Sequence, residues 1–174
     1  MNVVGLDLSL SATGIAHENG DLSTFKTKPS EDMIDRLCRI RDHVMDCVDA
    51  ADLTVIEGFA FGRPQGMADL GGLGWLIRVT LANNLRRFVI VPPASLKTFA
   101  TGKGSAPKPD VRMEVFKRYG LDIRDDNQTD AFVLRAMGLY AVGEPIVALP
   151  ATHTRALANV PALAELGILP GEGS

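Results

Sequence analysis

Three carboxylates in this chain stand where carboxylates are costly. Asp7 interrupts the apolar run from Val3 to Ser9, within Gly5-Leu6-Asp7-Leu8-Ser9. Glu57 ends the β-branched run Thr54-Val55-Ile56-Glu57-Gly58, and Asp130 opens an apolar helical face with Ala131, Val133, Leu134 and Met137. Burying an isolated carboxylate is strongly unfavourable unless something compensates it. Any one of these acids alone reads better as a salt-bridge or capping residue, but a shared divalent cation explains all three together. An all-oxygen ligand set favours Mg2+, with Mn2+ as a substitute, over zinc. Asp126 and Asn127 lie four and three residues before Asp130, on the same side of a helix, and extend the candidate ligand set. Two such ions about 4 Å apart activate a water and stabilise the leaving oxygen of a phosphodiester, so the chemistry would be in-line hydrolysis. His17, His43 and His153 are scattered and read as surface or packing residues.

The net charge of −3 argues against a phosphate-bearing partner until its distribution is considered. Residues 1–57 carry 5 basic and 11 acidic groups and residues 122–174 carry 3 and 7, whereas residues 58–121 carry 10 basic and 3 acidic groups. A basic middle between acidic ends suits a surface that meets phosphate while carboxylates collect metal elsewhere. An uneven but solvated surface would look the same. The 174 residues are enough for one domain with a real core. No apolar run approaches the roughly 20 residues of a membrane span, and Asp7 interrupts the apolar segment a signal peptide would need. Cys38 and Cys47 are too few for a disulfide framework and fall on one predicted helix as small core or half-buried residues. A reducing cytoplasm is the expected setting.

These side chains need elements to hold them. Val3 to Ser9, Ser11 to Ala16 and Leu22 to Thr27 read as an antiparallel meander of three strands. Pro29 and Ser30 open a helix, with Ser30 as N-cap and Met33, Leu37, Ile40, Val44 and Val48 as its apolar face. Leu53 to Glu57 reads as a buried strand. Gly58 to Gly74 is a glycine-rich loop leading into a helix that contains Trp75, Leu76, Val79 and Leu81. Arg87 to Val91 is another strand, closed by Pro92 and Pro93, and Ala94 to Ala100 is a short helix. Thr101 to Pro109 is a Gly/Lys/Pro loop, followed by helices over about Asp110 to Tyr119 and Asn127 to Ala141. Beyond Pro150 there is little periodicity except a short helix around Arg155 to Asn159. This order predicts an α/β domain over residues 1–150, a mixed five-stranded sheet with helices on both faces. Residues 151–174 form a tail without a separate domain. Asp7 on the first strand and Glu57 at the end of the fourth can then point into one cleft.

Several segments carry a family pattern. Gly5-Leu6-Asp7-Leu8-Ser9-Leu10-Ser11-Ala12-Thr13-Gly14 resembles the first strand and turn of RuvC-like Holliday junction resolvases. Val55-Ile56-Glu57-Gly58 is similar to their second acidic strand. Val91-Pro92-Pro93-Ala94-Ser95-Leu96-Lys97, followed by Thr101-Gly102-Lys103-Gly104-Ser105-Ala106-Pro107-Lys108, is similar to their Pro-x-x-x-Lys and Gly-Lys-Gly-x-x-x-Lys stretch. Asp126-Asn127-Gln128-Thr129-Asp130-Ala131 resembles the start of their last acidic helix. The matches run in family order over about residues 3–142, and the compact form is more like phage-encoded members than the cellular enzyme.

The resemblance implies an RNase H-like fold, a homodimer and Mg2+-dependent nicking of two symmetric strands of a four-way junction, in a bacterial cell or phage-infected host. It makes Asp7, Glu57 and Asp130 metal ligands and catalytic acids. It places Lys97, Lys103 and Lys108 against DNA, with Lys103 and Lys108 matching the basic loop and helix entry near the scissile phosphate and Lys108 counted as catalytic. The family commonly has a fourth acid three residues before the last one. Here that residue is Asn127, so the fourth ligand is either Asn127, through its carbonyl oxygen, or Asp126. In the family, the loop after the second acid reaches into the junction. Arg63 there would contact DNA, and Phe59 or Phe61 would stack on an unpaired base or pack beneath the loop or at the dimer interface. The helix with Trp75, Leu76, Val79 and Leu81 is the candidate dimer face.

Three rivals stand beside this reading: an RNase H-type or flap nuclease of the same fold, a sugar-kinase or actin-like ATPase, and a catalytically silent protein that binds branched DNA. The ATPase folds need two related domains, and 174 residues are too few.

Overall fold

Every residue of the first strand, β1 (Val3–Asp7), is buried, because helices cover both faces of the sheet it centres. The computed structural model describes residues 1–58 and 67–166. β2 (Ala12–Ala16) and β3 (Leu22–Lys26) continue from β1 as an antiparallel meander, and β4 (Leu53–Glu57) and β5 (Phe88–Val91) add in parallel on its other side. The order is β3-β2-β1-β4-β5, the mixed five-stranded sheet that the element order predicts.

Strand alternation sorts the core into two layers. Val4, Leu6 and Ile56 face α1 (Met33–Cys47) and α2 (Met67–Asn83), where Ile40, Val44, Leu73, Ile77 and Leu81 meet them. Val3 and Val55 face the other side, packed with Leu134 and Met137 of α5 (Asp126–Ala141). α3 (Pro93–Thr101) and α4 (Lys108–Tyr119) fill out that second layer through Leu96, Phe99, Val111 and Val115.

Several boundaries differ from the sequence reading, each for a local reason. α1 is capped by Asp32, which accepts from the Ile34 and Asp35 amides, and not by Ser30. Val48 lies just past α1 as its C-cap residue yet remains buried. Gly71, Gly72 and Gly74 belong to α2 and not to a loop, because the buried stripe Leu73, Ile77, Leu81 outweighs glycine's poor helix propensity. α4 starts at Lys108, with Pro107 as its N-cap and Pro109 in its first turn, where a missing amide hydrogen costs nothing. The segment beyond Pro150 is more ordered than its weak periodicity suggested. It forms α6 (Ala151–Thr154), a 3-10 turn (Leu157–Asn159) and α7 (Pro161–Ala164), burying His153, Leu157, Val160 and Leu163. Pieces of four residues cannot display a helical period. Among the described residues, no helix is long and apolar enough to cross a membrane.

Candidate active site

β1 and β4 are parallel neighbours, with Gly5 beside Val55 and Leu6 beside Ile56. Asp7 and Glu57 therefore leave adjacent strands at their carboxyl ends and on the same face. This is where open α/β sheets form their clefts. α5 lies across that face unusually closely. A Cβ added to Gly5 would stand 2.1 Å from the Ala131 oxygen, and one added to Gly14 would stand 2.1 Å from the Asn127 oxygen. Gly138 allows the same intimacy further along, against Val3 and Val55. The two strand glycines flank Asp7, since Gly14 is its partner across β1 and β2. Their missing side chains let the first turns of α5 descend until Asp130 joins the other acids. One oxygen from each of Asp7, Glu57 and Asp130 lies within 4.8 Å of the other two.

Asp7 and Asp130 are buried and Glu57 is half-buried. Burial, followed by repulsion from Glu57 and Asp130, pushes the Asp7 carboxyl up to about 9, and its proton is donated to Glu57. Burial and then Asp130 raise Glu57. Burial raises Asp130 despite Lys108, whose Nζ lies 3.7 Å from Asp130 Oδ2. Lys97 also acts on Glu57 and Asp130. Two lysines thus offset part of the negative charge and leave a surplus. Three convergent hard-oxygen donors with that surplus fit a divalent cation of the Mg2+ class. Removing such a cation leaves the repulsion that Asp7 relieves by holding a proton.

The helix that brings Asp130 is itself fastened. Asp125 caps α5, its Oδ1 accepting from the Asn127 amide (2.8 Å) and the Gln128 amide (3.3 Å). Its Oδ2 accepts from the Thr24 hydroxyl of β3 (2.9 Å), and Gln128 Nε2 donates to that same hydroxyl (3.0 Å). Burial opposes ionisation of Asp125, but these bonds hold its carboxyl below the ordinary range. Asp126 faces α4, where Arg112 Nη1 lies 3.7 Å from its Oδ1. Lys108 and Arg112, one turn apart on α4, therefore oppose Asp130 and Asp126, one turn apart on α5.

The residues named from sequence thus separate into groups. Asp7, Glu57, Asp130, Lys97 and Lys108 come together. Asp126 stands at the edge, close enough to raise Asp130. Asn127 is partly buried, with its carbonyl against Gly14. Lys103 is exposed on the loop between α3 and α4. Phe59, Phe61 and Arg63 lie outside the described residues. Sequence reasoning passed over Asp125, although an acid just ahead of a helical face is an N-cap signal. It also passed over Arg112, which the four-residue step from Lys108 exposes, and the glycines at 5 and 14.

The backbone around these acids matches solved structures. Thermus thermophilus RuvC superposes with a TM-score of 0.63 at 21% identity, over 78% of this chain and 91% of that one. RuvC of the same organism in complex with a Holliday junction substrate gives 0.63 at 19%, over 76% and 88%. The fold is that of RuvC. No family model matches the sequence, and no curated protein does either. The RuvC fold, an RNase H-like mixed sheet with helices on both faces, is therefore carried here by a sequence only about a fifth identical to those structures. In this instance of the RuvC fold, the three-acid cluster sits at the carboxyl ends of β1 and β4 and the first turns of α5.

Proposed function

We propose that this chain is a Mg2+-dependent endonuclease that nicks four-way junctions, or other branched DNA, symmetrically by two-metal phosphodiester hydrolysis. One observation carries the reading: Asp7, Glu57 and Asp130 converge within 4.8 Å on a RuvC fold, with Lys108 against the last of them. The RuvC structure with a Holliday junction bound supports a branched-DNA substrate. Asp7, Glu57 and Asp130 would hold Mg2+, or Mn2+ in its place, with Asp126 or Asn127 completing the set. When bound, the ions would activate the attacking water and stabilise the leaving oxygen.

The chain's own residues supply the rest. Lys108 offsets the charge of Asp130 when the site is empty and neutralises the phosphoryl group in the transition state. Lys97 and Lys103 draw in the DNA backbone, and binding should weaken with salt accordingly. Arg63, Phe59 and Phe61 would meet DNA from the segment after Glu57. Trp75 (64% exposed) and Val79 (51% exposed) lie on the outer side of α2, the face on which a second copy would dock. A two-fold dimer places two active sites on a substrate that itself has two-fold symmetry.

The test is to incubate the protein with labelled four-way junctions, flaps, RNA–DNA hybrids and plain duplex, with and without Mg2+. Symmetric nicks in the junction arms that vanish in Asp7→Asn are expected. Preference for hybrids or flaps would replace the substrate with one of those. Binding without Mg2+-dependent cleavage at high protein concentration would refute the enzyme.

A further inference from the structure

The last carbonyl groups of a helix have no intrahelical donors. One such group of α3, and the carbonyl of its C-cap residue Gly102, find partners in the C-terminal segment. His153 Nδ1 bonds to the Phe99 oxygen at 2.8 Å, and Arg155 Nη2 donates to the Gly102 oxygen at 2.9 Å. A carbonyl only accepts, so Nδ1 carries the hydrogen. Nε2 is then an acceptor and takes a hydrogen bond from Arg118 Nη2, near the end of α4, at 3.2 Å. The His153 ring is buried, and its Nε2 lies 3.4 Å from where a Cβ on Gly102 would stand. Gly102 has φ +78°, so the turn there is built for glycine and closed by the imidazole. The Arg155 cation also meets the negative end of the α3 dipole.

Three lysines lie along this stretch of chain. Lys97 is on α3, Lys103 follows Gly102, and Lys108 opens α4. Lys103 is linked to the same turn, its amide donating to the Thr101 hydroxyl at 3.1 Å. We propose that His153 and Arg155 are positioning residues. They hold the main chain at Phe99 and Gly102, which sets where Lys103 meets phosphate. The consequence for DNA rests on the nuclease reading above, whereas the tie is a property of the free protein.

Arg155 is exposed, so Arg155→Ala should fold as the wild type does and is the cleaner variant. His153→Ala removes the buried donor, and His153→Asn keeps one near the Phe99 oxygen. Amide hydrogen exchange on the free protein comes first. Arg155→Ala and His153→Ala are expected to speed exchange of residues 101–106 about tenfold, leaving β1 and α5 unchanged, with His153→Asn in between. On four-way junctions, Arg155→Ala should raise KM about tenfold with kcat within about twofold, and Arg155→Lys should recover most of the loss. Unchanged exchange at 101–106, a rise spread evenly over the chain, or a fall in kcat at constant KM would overturn the proposal. If the exchange effect appears but the wild type neither binds nor cuts junctions, the tie stands and the nuclease reading fails.

Discussion

The main-chain oxygen of Asn127 lies 2.1 Å from the place a Cβ on Gly14 would occupy. Gly14 is also the residue paired with Asp7 across β1 and β2. A single methyl group at position 14 therefore pushes on the helix that delivers Asp130. Gly14→Ala is expected to cost about 3 kcal/mol, a fall in Tm of roughly 6 to 12 °C. Cleavage should fall by about 100-fold or more even where the variant remains folded, because Asp130 is displaced. Thermal unfolding by circular dichroism and single-turnover cleavage would measure the two effects separately.

Asp7→Asn should abolish cleavage yet stabilise the metal-free protein. The folded Asp7 carboxyl sits at about 9, above its unfolded value, so folding takes up a proton between those limits. Metal-free stability therefore falls as pH rises from about 4 towards 9. Asparagine removes that charge and keeps a donor towards Glu57. A gain on the order of 2 kcal/mol is expected at pH 8, disappearing below about pH 4. Denaturant titrations of both proteins in chelator across pH would show it, and a gain that is constant with pH would contradict the repulsion argument.

Mg2+ should reverse the same penalty. In the wild type, saturating Mg2+ is expected to raise Tm, by about 2.7 kcal/mol of added stability at 100 times Kd. Asp7→Asn should show little of this shift. Thermal melts against Mg2+ concentration give the answer without any DNA.

Lys108→Ala should lower kcat about 100-fold while binding of the junction weakens far less. In the metal-free variant the Asp130 carboxyl should move further up, because the Lys108 cation 3.7 Å away holds it down. NMR titration of the aspartate side chains would follow that shift.

Asn127→Asp adds an acid one helical turn before Asp130. It is expected to tighten Mg2+ binding severalfold and to lower metal-free stability, both through ligand charge. Isothermal titration of Mg2+ into each protein compares them directly, and an unchanged affinity would remove position 127 from the ligand set.

Asp125→Ala should cost about 1 kcal/mol, the usual loss of an N-cap, with an added loss of activity because the cap also fastens α5 to Thr24 of β3. Thr24→Val should reproduce the activity loss with less effect on stability.

Much of the site was legible in the sequence because its cost is local. An acid inside Val3–Asp7 or at the end of Leu53–Glu57 contradicts the pattern around it, and that contradiction is visible without a structure. The strand meander, the β-α-β order and α5 were legible for the same reason: each carries a period of two or near four over enough residues. The inner and outer faces of α2 were not. Apolar residues occur on both sides of it, and only packing on the sheet selects Leu73, Ile77 and Leu81 over Trp75 and Val79.

By itself the sequence determined which residues could carry charge into a hydrophobic layer, and that one lies on the first strand while another ends the fourth; that those strands are neighbours came from the fold. The tertiary structure alone decided how close the third acid comes. That distance depends on Gly5, Gly14 and Gly138, whose absent side chains exert no pattern along the chain and matter only where another backbone presses on them. It also decided the place of His153 and Arg155. Their partners, Phe99 and Gly102, are more than fifty residues away in sequence, and only folding brings the donors to the carbonyls.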